Sequence, residues 1–76
     1  MNLTQLEKDQ QATITKINAD KALKDRFSSF GVMRGEELTI KGFSLGNQTI
    51  EIEVGSTLLA LRADEAEKIE VEPLTS

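Results

Sequence analysis

The chain has 76 residues with 13 acidic and 9 basic side chains. Its formal charge of −4 argues against a nucleic-acid partner, because phosphates require a basic face. The absence of cysteine and histidine excludes disulfides, thiolate metal sites, iron–sulfur clusters, cysteine nucleophiles and the commonest general base. The length predicts one domain over residues 1–76, and the composition by itself assigns no function.

The start of the chain lacks the basic stretch and apolar core that are typical of a secretory signal. The longest apolar run, residues 58–61, has four residues, whereas a membrane-spanning helix needs about 20. We therefore expect a cytoplasmic location and no direct insertion into a membrane.

The first predicted elements are a helical turn and a strand. Over residues 4–7 a hydroxyl and a carboxylate stand three positions apart in a capping-box pattern, which predicts a single turn anchored by Leu3 and Leu6. Over residues 12–17 β-branched side chains alternate between two faces, which predicts a strand with one solvent-exposed face.

A short amphipathic helix over residues 21–30 is the best-specified local element. Three apolar side chains recur along one face at helical spacing: Leu23, Phe27 and Phe30. Asp20 is placed to cap the first turn, and Gly31 follows at the position where a left-handed residue commonly ends a helix.

The chain from residue 36 onward predicts four further strands joined by short turns. Alternating side chains place these strands over residues 36–43, 48–54, 57–62 and 69–71. Residues 44–47 and 55–56 are turn clusters, and residues 63–67 are long enough for one helical turn. Pro73 is expected to end the last strand because proline has no N–H to donate.

Five short strands with one helix between the first two predict a mainly β protein, a small β-barrel, because closing the sheet hides its edges. Sixteen apolar side chains form the predicted core: Leu6, Ile14, Ile17, Leu23, Phe27, Phe30, Val32, Leu38, Ile40, Ile50, Ile52, Val54, Leu59, Leu61, Ile69 and Val71.

Five segments together resemble the ferrous iron transport protein A (FeoA) family, whose members are small cytoplasmic SH3-like barrels. The segments are Leu3 with Leu6, residues 12–17, residues 26–31 with Gly35, Leu45-Gly46, and residues 59–71. The last segment is the most specific. It follows the family pattern, in which an apolar residue is followed by Ala-Leu-Arg-x-x-Glu-Ala-x-x-Ile-x-Val. The sequence departs from the family at residues 9–11, where a glycine is usual, and at residues 28–30, where the helix ends on Ser-Ser-Phe.

The resemblance implies an accessory protein of ferrous iron uptake that binds the cytoplasmic part of a FeoB-type transporter, a membrane protein with a GTP-binding domain. It implies no enzymatic activity of the chain itself. Two alternatives stay open. One is a free-standing SH3-like adaptor that binds a peptide segment of another protein or pairs weakly with itself, and the other is an activator of the transporter's GTP hydrolysis.

Because the chain has neither histidine nor cysteine, its carboxylates are the candidate ligands for iron. They are grouped as Glu51 with Glu53, Asp64 with Glu65 and Glu67, and Glu70 with Glu72. Ferrous iron prefers imidazole together with carboxylate, and the chain has no imidazole. We interpret these groups as solvated faces and predict no metal site, no cofactor and no catalytic residue.

Six residues are candidates for a partner-binding surface: Arg26, Met33, Arg34, Leu45, Leu58 and Arg62. The three arginines are the only residues that could supply an arginine finger to a GTP-hydrolysing partner. The alternative for Arg26 is a stem packed over the core edge, and the alternative for Arg62 is a pair with Glu65 or Glu67.

The three apolar candidates are hard to assign to the predicted core, so an exposed cluster of Met33, Leu45 and Leu58 near Arg34 would suit a partner. The alternative is that the barrel buries some of them as secondary core.

The charge is unevenly distributed along the chain. Residues 1–35 carry six basic and four acidic side chains, whereas residues 36–76 carry three basic and nine acidic ones. Such asymmetry would raise the rate of association with a partner more than it would raise the affinity.

Overall fold

The computed structural model describes residues 1–44, 46 and 48–74. Its elements in chain order are a 3-10 turn (Leu3–Gln5), β1 (Gln11–Ile17), α1 (Lys21–Ser29), β2 (Glu37–Phe43), β3 (Thr49–Val54), β4 (Thr57–Arg62), α2 (Ala63–Ala66) and β5 (Ile69–Pro73). This is the mainly β arrangement predicted from the sequence, with one short helix between the first two strands. Within the described residues, no helix has the length and apolarity that crossing a bilayer requires.

The five strands form one antiparallel sheet in the order β4-β3-β2-β1-β5. The sheet curls around a single core because β1 and β2 each carry an irregularity, between Ile14 and Lys16 and between Ile40 and Gly42. Bulges of this kind bend a strand and increase its twist. No strand pairing joins β4 to β5 in the described part of the chain, so hydrogen bonds do not complete the predicted closure.

The core is apolar throughout, and most of the predicted core side chains lie in it. Ile17, Leu23 and Leu59 are only partly buried and pack against its edge. Three further side chains are fully buried although the sequence pattern did not assign them to the core: Leu3, Ala12 and Ala66. They come from the 3-10 turn, β1 and α2, so all three elements contribute to the core.

The prediction that Phe30 belongs to the core is wrong, because its side chain is 48% exposed. The helix ends at Ser29, and Phe30 is the C-cap with a non-helical backbone (φ −103°, ψ 6°). The helical spacing that aligns Leu23 with Phe27 therefore no longer holds one turn later.

The predicted caps of α1 are confirmed, although the helix ends one residue earlier than predicted. The Asp20 carboxylate accepts the Leu23 backbone N–H at 2.9 Å. At the other end, Gly31 has φ +84°, and the N–H of Val32 donates to the Phe27 carbonyl at 2.9 Å. This is a Schellman motif, which turns the chain back so that Val32 enters the core.

The N-terminal turn is capped differently from the prediction. It spans Leu3–Gln5, its N-cap is Asn2, and the Asn2 side chain accepts the Thr4 N–H at 2.9 Å while the Gln5 side chain accepts the Asn2 N–H at 2.8 Å. The pattern beginning at Thr4 is not used, because burial of both Leu3 and Leu6 requires extended backbone at Leu6 (φ −84°, ψ 153°).

Pro73 is the last residue of β5, as predicted, but it is still paired with β1. It stands opposite Ala12 in the β1–β5 ladder, and the N–H of the next residue, Leu74, donates to the Gln11 carbonyl at 2.9 Å. Proline at an outer strand position costs no ladder bond when its missing N–H would face away from the neighbouring strand.

Candidate partner-binding site

The segment after α1, residues 31–35, contains two turns, the helix end at Gly31 and a second turn at Gly35. The Glu36 N–H donates to the Met33 carbonyl at 3.1 Å, and Gly35 has φ +92° at the third position, as a type II turn requires. The Gly35 N–H donates to the Ile14 carbonyl, and the Ile14 N–H donates to the Glu36 carbonyl, both at 2.8 Å. These bonds attach the segment to β1, so its exposed side chains are presented from a fixed backbone.

This segment, the end of β1 and one side of α1 enclose a cleft of about 540 Å³. Its apolar part comprises Ile17, Val32 and Met33, of which Val32 is buried and Met33 is 42% exposed. Arg34 lies on the same cleft and is exposed. The structure therefore brings together Met33 and Arg34, two of the six residues selected from the sequence, in a concave setting. We call it the β1–α1 cleft.

The β1–α1 cleft carries three cationic side chains, Lys16, Lys24 and Arg34, and one carboxylate, Asp25. Asp25 accepts from the Lys21 ammonium at 2.9 Å, one helical turn away. Among the described residues, none of the three cleft cations has a carboxylate within 4 Å. The cleft is therefore net positive in a chain whose formal charge is −4.

Arg26 and Arg62, two further candidates, lie near α2. The Arg26 guanidinium forms an ion pair with the Glu65 carboxylate, which ties α1 to α2. Glu65 also accepts the backbone N–H of Arg62 at 3.1 Å. Arg62 therefore contacts Glu65 through its backbone N–H. The guanidinium that pairs with Glu65 belongs to Arg26.

Leu58 lies outside the β1–α1 cleft. Its side chain is 59% exposed on β4, directly opposite Glu53 in the β3–β4 ladder. Leu58 and Met33 are both too exposed to be secondary core, and Leu58 is not among the residues that line the cleft with Met33. Leu45, the third apolar candidate, lies outside the described residues, as does Asn47.

The carboxylate groups are spread over the surface. Within residues 1–44, 46 and 48–74, no three potential ligands from His, Cys, Asp and Glu come close enough to hold one metal ion. Glu70 accepts from the Asn18 side-chain amide, and Glu65 is engaged by Arg26.

Reasoning from the sequence missed Lys16 and Lys24 as parts of the site. The bulge in β1 leaves both Thr15 and Lys16 exposed, which breaks the alternation that was expected to continue to Ile17. The signal that could have found them is the basic excess of residues 1–35, but this excess does not show which cations converge.

Comparison with known proteins gives consistent matches. A family model described as FeoA domain matches residues 1–73. A Campylobacter jejuni protein named Fe(2+) transport protein A is 42% identical over 71 residues, which cover 93% of this chain and 96% of the relative. The solution structure of FeoA from Chlorobium tepidum superposes with a TM-score of 0.93 at 32% identity, covering 99% of this chain and 71% of that one.

A further solved structure is FeoA of Stenotrophomonas maltophilia in complex with zinc, described as a procaryotic SH3 domain protein. It superposes with a TM-score of 0.82 at 28% identity, and the match covers 95% of this chain and 89% of that one. The predicted SH3-like architecture is therefore confirmed.

Proposed function

This chain belongs to the FeoA family of ferrous iron transport accessory proteins, and from that premise we propose that it acts by binding the cytoplasmic part of a FeoB-type transporter. In this proposal it is a cytoplasmic protein of one domain over residues 1–76, and it has no enzymatic activity. It acts through a surface that the transporter contacts, and the ferrous ion is the cargo of the transporter.

The observation that carries the proposal is the fixed, exposed segment after α1. Met33 is 42% exposed beside Ile17 and Val32 in a concave setting, where an apolar group of a partner would contact more than one apolar side chain. The side chains beside it are Lys16, Lys24 and Arg34, which suit recognition. Catalysis by general base or thiolate would need imidazole or cysteine, and the sequence has neither.

Binding to the purified transporter tests this proposal directly. The full chain is immobilised and exposed to the detergent-solubilised transporter, to its separated cytoplasmic part, and to an unrelated GTP-binding protein as control. We expect saturable binding of the first two and none of the control. Failure of the intact transporter to bind at any concentration reached would contradict the proposal and favour an adaptor for another protein.

The rate of GTP hydrolysis separates simple binding from activation. Arg26 is already paired with Glu65, so Arg34 and Arg62 are the arginines available to act as a finger. We expect Arg34→Ala and Arg62→Ala to leave the transporter's hydrolysis rate per bound complex unchanged. A large fall in that rate for either variant, at saturating concentration, would assign a finger and replace binding alone with activation.

Tight binding of iron by this chain alone is not expected. Anaerobic calorimetry with Fe(II) on the isolated chain should show no saturable heat in the micromolar range, since carboxylates without imidazole are poor partners for ferrous iron in water. Micromolar binding that disappears on substitution of one carboxylate group would show that the chain itself handles the cargo.

A further inference from the structure

We infer that the β1–α1 cleft is the docking site for an acidic peptide segment of the partner, one that carries an apolar side chain beside its carboxylates. The inference names the contact surface within the proposed function and rests on that function for the identity of the partner. Its chemistry follows from the apolar contacts, the charge and the rigidity of the cleft.

The apolar requirement comes from the inner wall of the cleft. Ile17 is half-buried at the end of β1, Val32 is buried, and Met33 stands 42% exposed at the rim. An aliphatic side chain placed between them would remove apolar surface of both molecules from water, which contributes about 25 cal/mol per Å². The unbranched, polarizable Met33 side chain can adapt to the shape of such a group.

The acidic requirement comes from the charges around that wall. Lys16 lies on the strand side, Lys24 on the helix side and Arg34 on the turn, whereas Asp25 is already engaged by Lys21. Carboxylates of a bound segment would therefore meet cations from three different elements. Charge-assisted hydrogen bonds to carboxylate are among the stronger polar contacts available at a surface.

The rest of the molecule directs an acidic segment to this cleft. Glu51 and Glu53 on β3 and Glu72 on β5 lie outside the lining of the cleft, whereas Glu70 stands opposite Lys16 in the β1–β5 ladder. Repulsion from the carboxylates outside the cleft lowers the population of wrongly oriented encounters, and attraction by the cleft raises that of correctly oriented ones.

The backbone of the cleft is also preformed in the absence of a bound segment. Two backbone turns and three hydrogen bonds to or within the stretch from Met33 to Glu36 fix the backbone that carries Arg34. A preformed backbone reduces the conformational entropy that binding would otherwise cost.

A peptide suits the cleft better than a nucleic acid does. A polyanion extends well beyond three cations and would meet the acidic faces of a chain with formal charge −4. A short acidic segment can instead place its few charges within the cleft and leave the acidic faces free.

Titration of the full, ¹⁵N-labelled chain with two short peptides of equal length tests the chemistry. One peptide alternates leucine with glutamate and the other alternates leucine with glutamine, and a single-stranded RNA oligonucleotide is the third probe. We expect saturable shifts of the Ser28, Val32 and Arg34 amides with the glutamate peptide, and affinity lower by about tenfold with the glutamine peptide. Equal affinities, shifts confined to other residues, or tighter binding of RNA at the same residues would overturn the inference.

Paired charge reversals provide the matched control. Lys16→Glu with Lys24→Glu changes two cleft cations, and Lys8→Glu with Lys41→Glu makes the same change of net charge at exposed lysines outside the cleft. Circular dichroism and thermal unfolding establish that both variants are folded. We expect the first variant to lose binding of the glutamate peptide by tenfold or more, about 1.4 kcal/mol per tenfold, and the second to lose much less. Equal losses in the two variants would show that net charge acts and the cleft does not.

The same variants on the transporter separate this inference from the proposed function. Loss of transporter binding in the cleft variant alone supports both. Unchanged transporter binding in the cleft variant overturns the inference and leaves the proposed function standing. A wild-type chain that binds the glutamate peptide in the cleft but does not bind the transporter overturns the proposed function and leaves the chemistry of the cleft intact.

Discussion

The β1–α1 cleft and the β3–β4 hairpin each expose a large apolar side chain, but in opposite surroundings. Met33, 42% exposed, lies in a concave site with three cations, whereas Leu58, 59% exposed, lies on a strand face opposite Glu53. Exposure alone would rank Leu58 first. Concavity, a backbone fixed by turns, and cations that have no carboxylate within 4 Å in the described part of the chain favour Met33 as the residue that a partner uses.

The two regions also differ in what holds them. In the hairpin each position is set by the β3–β4 ladder, which runs without irregularity from Thr49 opposite Arg62 to Val54 opposite Thr57. The cleft depends on the packing of α1 through one buried ring, Phe27, and on the turn at Gly35. Substitutions should therefore affect the stability and the binding of the two regions unequally.

Phe27→Ala should be the most damaging single change. Phe27 is 1% exposed, and its carbonyl accepts the Val32 N–H that closes the helix. Truncation of a buried phenylalanine costs about 3–5 kcal/mol, which is a large part of the stability of a small domain.

Leu58→Ala is the control for this change and should alter the free energy of unfolding by less than about 0.5 kcal/mol. Urea denaturation of both variants measures the difference. Similar losses would show that Leu58 is buried by contacts in solution, and the contrast between the two regions would then fail.

Met33→Ser should weaken binding of the transporter's cytoplasmic part by about tenfold, since central apolar contacts at an interface contribute more than 1 kcal/mol. Leu58→Ser should leave that affinity unchanged. Calorimetry on folded variants measures both. The reverse ranking would move the partner surface to the β3–β4 hairpin.

Gly35→Ala should cost about 1–2 kcal/mol of stability, because Gly35 has φ +92° and a left-handed conformation is unfavourable for a residue with Cβ. Open space surrounds the added Cβ, so the cost is conformational and not steric. Gly42→Ala is the matched control, since Gly42 also has open space but no positive φ. Thermal unfolding of the pair should show a loss only at Gly35, and equal effects would contradict the assigned turn.

The smallest effect concerns the ion pair that connects the two regions. Arg26 on α1 engages Glu65 on α2, which directly follows β4. The Arg26 side chain is 56% exposed, so a double-mutant cycle with alanine at both positions should give a coupling of about 0.5 kcal/mol that falls with added salt. A coupling of several kcal/mol would show that the two regions move as one unit through this contact.

Much of the fold could be predicted because its determinants are local. Asp20 and Gly31 limit α1 through backbone hydrogen bonds that involve only their near neighbours, and both were identified from residue type and position. The strands followed from alternation, and no observed end differs from the predicted end by more than two residues.

One error occurred where burial in the core overrides a local capping pattern, and another where the end of the helix interrupts its period. The capping pattern at Thr4 is intact, yet the turn uses Asn2 because Leu3 and Leu6 must both reach the core. Phe30 fits the helical period, yet the helix stops before it. Local spacing has no information on either constraint.

The sequence alone determined the strands, the helix with its caps and the family to which the chain belongs, because each depends on residue order over short distances or on matching segments. Which exposed side chains come together depends on how the helix and strands pack in three dimensions. Lys16, Lys24 and Arg34 come from a strand, a helix and a turn, and they share one cleft because α1 packs beside β1 and the β1 bulge turns Lys16 outward. Convergence of this kind arises from the packing of elements distant in the chain, which side-chain periodicity does not encode.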